Sequence, residues 1–240
     1  MPITTFDPEK PGDEKNKGKQ LAAPQPHAGA LGFVDDSDAS GEITAEDIKF
    51  PRLAVVHKIG ELSELFPGQS GAFVLNKDGI LCPPGKSLEV TAVFAKKYYE
   101  EDVGFDSGTF GKRVSSAQEV LNNGGSLMRG DEHYYAPVAD ILFLVKQPET
   151  VDPAFEGMFF YDVAGAPHLL AAFTARSTAY NGVAVPIWTL KQQRGSIRAS
   201  QWKLSTFLNS YNNKSWHKPI LRPAGATSQV YLDFMKGLAI

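Results

Sequence analysis

Aromatic and cationic side chains alternate through the last third of this chain. Phe173, Tyr180, Trp188, Trp202, Tyr211 and Trp216 are interleaved with Arg176, Arg194, Arg198, Lys203 and Lys214. Flat aromatic faces stack on unpaired bases, at about 1–3 kcal/mol per base, while cations between them neutralise the phosphates. A second group, Lys96-Lys97-Tyr98-Tyr99, closes an alternating segment and extends the same chemistry. Its plain alternative is a solvated strand end. Phe173 and Trp188 read as core residues. Trp202 reads as a contact residue, because large exposed apolar groups mark contacts. The residues assigned to nucleic-acid binding are therefore Lys96, Lys97, Tyr98, Arg176, Tyr180, Arg194, Arg198, Trp202, Lys203, Lys214 and Trp216.

Charge distribution points the same way. Of the 27 acidic residues, 26 precede residue 163, where they face 15 cations. Residues 163–232 carry eight cations and no acid. A basic block of that length favours an anionic partner, unless the acids of the first part fold back on it.

Other chemistry is thin. Asp36, Asp38, Ser40 and Asp47 approach a calcium loop, with Gly41 at its sixth position and Ile43 at its eighth. Against it stand a single copy, Asp instead of Glu at the twelfth position, and poor flanking helices. The competing reading is a solvated acidic linker with Thr44 capping a short helix. The five histidines show no paired metal spacing, and no phosphate loop or nucleophile elbow is present. No enzyme and no cofactor are expected. The one cysteine, Cys82, rules out an intramolecular disulfide. No secretory leader and no transmembrane run are visible, so a cytoplasmic protein without membrane contact is expected.

The elements that must position these residues are mostly strands. Residues 1–42 are Pro-rich, charged and poor in large apolar residues, and read as a disordered acidic arm. Residues 43–240 read as a single β-rich domain. Strands are expected in RLAVVHKI, in GAFVLNKDGIL around a turn at Lys77-Asp78-Gly79, in SLEVTAVFAKKYY, VADILFLVKQ, GMFFYDV, HLLAAFTAR and VAVPIWTLK, and last in QVYLDFM. Residues at about 100–135 read as a loop excursion with one short helix, SSAQEVL. A late helix is expected at 196–211. At 100° per residue it gathers Ile197, Leu204, Leu208 and Tyr211 on one face and leaves Trp202 opposite, beside Arg198. The fold class is mainly β (β-rich α+β): an OB-like antiparallel barrel or sandwich with a late helix.

The order of motifs resembles a known group. Ala45-Glu46-Asp47-Ile48-Lys49-Phe50-Pro51-Arg52-Leu53 leads into Gly71-Ala72-Phe73, then Leu88 to Phe94 and Lys96-Lys97-Tyr98-Tyr99. His133-Tyr134-Tyr135, Ile141 to Val145, and Phe173-Thr174-Ala175-Arg176-Ser177-Thr178 follow. Across roughly residues 43–232 this resembles bacteriophage and prophage single-stranded DNA-binding proteins of replication and recombination. The resemblance implies an OB-like core, sequence-nonspecific binding to single-stranded DNA in a bacterial host's cytoplasm, a possible homo-oligomer, and partners among replication or recombination proteins. It contributes no contact residue. The rival expectation is a non-enzymatic protein–protein module, such as a virion component or a host-factor binder, with Trp202 as an interface anchor.

Overall fold

A computed structural model describes residues 50–103, 111–212 and 214–238. The proposed arm at 1–42 and the calcium candidates Asp36, Asp38, Ser40 and Asp47 lie outside the described residues. The chain forms two antiparallel sheets packed in a sandwich-like arrangement, and the larger sheet does not close into a barrel.

The smaller sheet holds β1 (Leu53–Val55), β2 (Phe73–Leu75) and β3 (Gly79–Cys82) in that order. Helix α1 (Glu61–Leu65) sits in the connection between β1 and β2. The β2–β3 turn falls where its residue types allow, with Asn76 and Lys77 at positive φ.

The larger sheet is built on β4 (Ser87–Glu101). Its other strands are β5 (Arg113–Val114), β6 (Tyr135–Lys146), β7 (Tyr161–Val163), β8 (Ala166–Arg176), β9 (Ser200–Tyr211) and β10 (Lys214–Ala226). The order is β10-β9-β4-β6-β8-β7, with β5 pairing the far end of β4. A register shift between Ala92 and Phe94 marks a bulge, which bends β4 and increases the local twist. Helix α2 (Ala117–Asn122) occupies the expected excursion, capped by Ser116, whose hydroxyl accepts from the Glu119 amide. Helix α3 (Pro153–Glu156) links β6 to β7.

One face of the larger sheet buries Leu88, Val90, Ile141, Phe143, Leu169 and Phe173 against the smaller sheet and a long helical segment. That segment runs from α4 (Ser177–Ala179) through a π-helical turn at Tyr180–Ala184 into α5 (Val185–Arg194). The opposite face buries Val93, Leu142, Leu144 and Leu170 under α6 (Gln229–Gly237).

Three expected elements are corrected. VAVPIWTLK is helical: Val183, Ala184, Ile187 and Leu190 recur at helical spacing and are all buried, and Pro186 follows directly on the π-helical turn, where the bonding pattern already shifts. Gly195 then ends α5 in a left-handed conformation. QVYLDFM is α6, because Tyr231, Phe234, Met235 and Leu238 share a helical face against the sheet. The expected helix at 196–211 is a short 3₁₀ turn at Ile197–Ala199 followed by β9. On a strand, Trp202 and Leu204 point the same way, so Trp202 is not on a wrong side: it is 3% exposed and packed in the main core.

Among the described residues, no helix is long and apolar enough to cross a membrane.

Candidate nucleic-acid interface

Strands β9 and β10 pair from Ser200↔Ala226 out to Tyr211↔Lys214. The β4–β9 ladder stops at Ser87↔Ser205. Beyond that point no described strand pairs with β9 on its β4 side, and the last six residues of β9 run out with the start of β10 as a two-stranded arm. Tyr211 and Lys214 face each other across a two-residue loop, with Asn212 at positive φ (46°), a conformation Asn tolerates.

Register assigns the arm's faces. Phe207 lies opposite Lys218, Asn209 opposite Trp216, and Tyr211 opposite Lys214. Directly opposed side chains share a face, so register puts these six on one face, with the Lys218 stem packed beside Gly182 of the π-helical turn. The same alternation continues toward the sheet with Lys203 opposite Arg222. Phe207 is 56% and Tyr211 70% exposed, and Trp216 is half-buried with its indole N–H unpaired. Among the described residues none of Lys203, Lys214, Lys218 and Arg222 is ion-paired. Glu89, which stands opposite Lys203, is 3.0 Å from Lys146 Nζ.

The other face of the arm turns toward the smaller sheet. Thr206 Oγ1 donates to the Gly71 carbonyl at 2.8 Å, and Lys58 Nζ donates to Ser215 Oγ at 2.5 Å. A Cβ at Gly71 would lie 2.5 Å from the His217 ring, so only glycine lets the chain pass there. Burial, and then the nearby Lys58, keep His217 below the ordinary histidine range. Burial, and then His217, do the same for His57.

A second cation–aromatic cluster lies at the far end of the larger sheet, on the face that carries α6. Lys96, Tyr98 and Glu100 of β4 stand across from Asp140 and Val138 of β6, with Thr174 and Arg176 of β8 beyond. Tyr98 lies between Lys96 Nζ, 5.0 Å from its ring centroid, and the Arg113 guanidinium at 5.2 Å. Arg113 donates to Glu100 at 3.0 Å and to Asp140 at 2.8 Å. Arg176 donates to Glu100 at 2.9 Å, and the Thr174 hydroxyl to Asp140 at 2.8 Å. Burial opposes the Arg113 charge, but Glu100 and Asp140 hold its pKa above the ordinary value. Beside this network runs an open groove of about 1130 Å³, lined in part by Arg52, His57, Phe94, Leu142 and Arg176.

The proposed site residues thus divide. Lys214 and Trp216 meet on the arm, and Lys203 lies on the same strand face nearer the sheet, where β9 pairs β4. Lys96, Tyr98 and Arg176 meet at the far end of the sheet. Lys97 points to the core side with Tyr180, where burial opposes its charge but the hydroxyls of Tyr99 and Tyr180 raise its pKa. Tyr180 is itself buried. Arg194 is exposed in the last turn of α5 and belongs to neither surface. Two residues are corrected. Trp202 is core. Arg198 is a strut, its guanidinium donating to the carbonyls of Val93 at 2.9 Å and Met235 at 3.0 Å, which ties α6 to β4.

Phe207, Tyr211, Lys218 and Arg222 complete the arm surface and were not in the assigned set. The available signal was a period of two: Lys203, Phe207 and Tyr211 on one side of the paired asparagines, Lys214, Trp216 and Lys218 on the other.

No family model, curated protein or solved structure matches this chain.

No cluster of three or more metal-ligating side chains occurs among the described residues. Burial pushes the Cys82 thiol up to about 11, with Lys86 acting weakly the other way, so it is a poor nucleophile at neutral pH.

Proposed function

We propose that this chain binds single-stranded DNA without sequence preference and without catalysis, through the arm of β9 and β10. One observation carries this reading: the arm presents aromatic faces beside cations that no carboxylate of the described residues pairs with. Bases stack on Phe207, Tyr211 and Trp216, while Lys203, Lys214, Lys218 and Arg222 follow the phosphates. On this face Asn209 is the one amide among aromatic rings and cations, so stacking and phosphate contacts outweigh the reading of base edges. The resemblance of the motif order at residues 43–232 to phage single-strand binders supports the same reading, and the role we propose is in replication or recombination in a bacterial cytoplasm.

The test is fluorescence anisotropy of a labelled oligo-dT at several salt concentrations. Four neutralised phosphates give a slope of log K against log salt of about −3, at about 0.7 per contact on a single strand. Lys214→Gln reduces that slope by about 0.7. Absence of oligo-dT binding at low salt removes the reading and leaves the arm as a protein-binding surface.

A further inference from the structure

The acids of the first part of the chain are not spread evenly. Residues 1–34 hold four acids and four lysines, whereas residues 35–42 hold Asp35, Asp36, Asp38 and Glu42 and no cation. The described residues begin at Phe50, so the place of Phe50 fixes where that acidic stretch is tethered. Phe50 packs against the cluster of Val93, Leu142 and Leu170 that α6 covers. The Ala172 N–H of β8 donates to the Pro51 carbonyl at 2.8 Å, and Arg52 bridges Ala172 in parallel. The chain therefore enters along the edge of β8, on the face of the larger sheet that carries α6.

The cations of the arm lie on that same face. Lys203, Glu89, Lys146 and His168 form one row across β9, β4, β6 and β8, and His168 is bonded to Tyr231 of α6. Arg222 stands opposite Lys203, and Lys214 opposite Tyr211 continues the alternation toward the tip. The row covers three strand spacings of about 4.8 Å, and Ala172 lies about 13 Å along β8 from His168. Phe50 and Lys203 are therefore roughly 20 Å apart across one face. Residues 43–49, at up to about 3.3 Å each, span about 23 Å, which is enough to bring Glu42 to Lys203 and Arg222. Residues 35–42 then reach on toward Lys214. Two carboxylates already on that face are committed elsewhere: Glu89 to Lys146 at 3.0 Å and Asp233 to Lys236 at 3.2 Å.

We infer that the acidic stretch at 35–42 lies over Lys203, Arg222 and Lys214 when no nucleic acid is bound, and that single-stranded DNA competes with it. In this role the stretch is a tethered counterion, displaced by phosphates as free ions are. The contact itself does not depend on the DNA reading; the competition rests on it. At an effective concentration of about 1 mM, a stretch with an affinity of about 100 µM weakens DNA binding by about tenfold at low salt. Salt screens the internal contact as well, so the difference closes as salt rises.

Anisotropy of labelled oligo-dT, in EDTA, tests the competition on the full chain and on a variant carrying Asp35→Asn, Asp36→Asn, Asp38→Asn and Glu42→Gln. The variant binds about tenfold tighter at about 20 mM salt and within about twofold of wild type at about 200 mM. In a Lys203→Gln and Arg222→Gln background the same four changes give less than about half of that gain on a logarithmic scale, whereas a general effect of net charge carries over in full. A labelled peptide of residues 35–47 tests the contact without DNA. It binds the four-acid variant with a Kd of about 100 µM, loses that affinity in the Lys203→Gln and Arg222→Gln background, and is indifferent to Arg194→Gln on α5. A variant that binds oligo-dT no tighter than wild type, or a peptide that ignores Lys203 and Arg222, overturns the inference and leaves the DNA reading in place. A peptide that binds the arm of a protein to which oligo-dT does not bind overturns the DNA reading and leaves the contact.

Discussion

Two regions of this protein carry aromatic rings beside cations, and they are built differently. At the far end of the sheet, Tyr98 is held between Lys96 and Arg113, and the guanidinium groups of Arg113 and Arg176 are committed to Glu100 and Asp140. On the arm, Phe207, Tyr211 and Trp216 alternate with cations that have no internal partner among the described residues. A phosphate arriving at the first region must displace a carboxylate already in place. At the second it displaces only water and counterions. Residue type alone does not distinguish the two; what does is the presence of Glu100 and Asp140 in the opposing register positions.

The largest expected effect breaks the comparison at the arm. Phe207→Ala with Tyr211→Ala removes two stacking platforms, each worth about 1–3 kcal/mol, so affinity for oligo-dT falls by at least tenfold while the melting temperature hardly moves. Tyr98→Ala, at the other region, leaves affinity within about twofold. Equal losses at both regions would mean that the internal ion pairs do not matter and that the strand runs across the whole sheet.

Trp202 lies in neither region. Trp202→Ala empties a buried indole site and destabilises the fold by about 3–5 kcal/mol. Denaturant unfolding shows the loss, and oligo-dT affinity of the fraction that remains folded is unchanged. A variant of undiminished stability that fails to bind would return Trp202 to the interface.

The same segment shows how far the sequence was legible. The β-rich class, the β2–β3 turn, the capped helix in the excursion and the late basic surface follow from alternation, turn residues and charge, and all but the last are local patterns. The helix expected at 196–211 failed because Ile197, Leu204, Leu208 and Tyr211 satisfy a 3.6-residue period while Trp202, Leu204 and Thr206 satisfy a period of two. Pairing to Leu88 and Val90 on one side and Leu221 on the other decided between them, and such partners lie far away in the chain. Asn212-Asn213 between two basic, aromatic runs was the local hairpin signal that competed with that helix. The same long-range override hid the role of Arg198, whose acceptors are carbonyls 105 and 37 residues away. Nor does spacing reveal that Arg113, Arg176 and Glu100 converge, since three separate strands bring them together.

A smaller change sharpens the comparison by making the second region resemble the first. Glu100→Gln releases Arg176 and weakens the hold on Arg113, leaving Asp140 to balance one of them. One added cation available to phosphate steepens the salt slope by about 0.7 and tightens binding at low salt. The readout is the slope, because general destabilisation would lower affinity without steepening it. An unchanged slope would place the region off the path of the strand altogether.

The smallest effect concerns the helix that covers the sheet between the two regions. His168 is buried; its Nδ1–H donates to the Ala166 carbonyl at 2.7 Å, and its Nε2 accepts from the Tyr231 hydroxyl of α6 at 2.9 Å. Accepting from Tyr231 needs the neutral ring; donating to Ala166 does not. Burial keeps its pKa below the ordinary value, against the Ala166 carbonyl, which favours the charged ring; Lys146 adds to the lowering, and Asp162 and Glu89 oppose it more weakly. In the unfolded chain the ring titrates near 6.5, so below that pH the unfolded state binds the extra proton and the folded state does not. Stability is therefore fully present above about pH 6.5 and declines as the pH falls from there through the depressed folded value. His57 and His217, lowered for the same reason, add to the decline at the base of the arm. His168→Gln keeps an acceptor for Tyr231 and removes the titration, so melting curves of this variant between pH 7.5 and 5 flatten relative to wild type by the share that His168 contributes. If the variant keeps the full slope, the acid sensitivity belongs to the arm's histidines, and oligo-dT affinity should then change over the same pH range, which the α6 latch alone would leave constant.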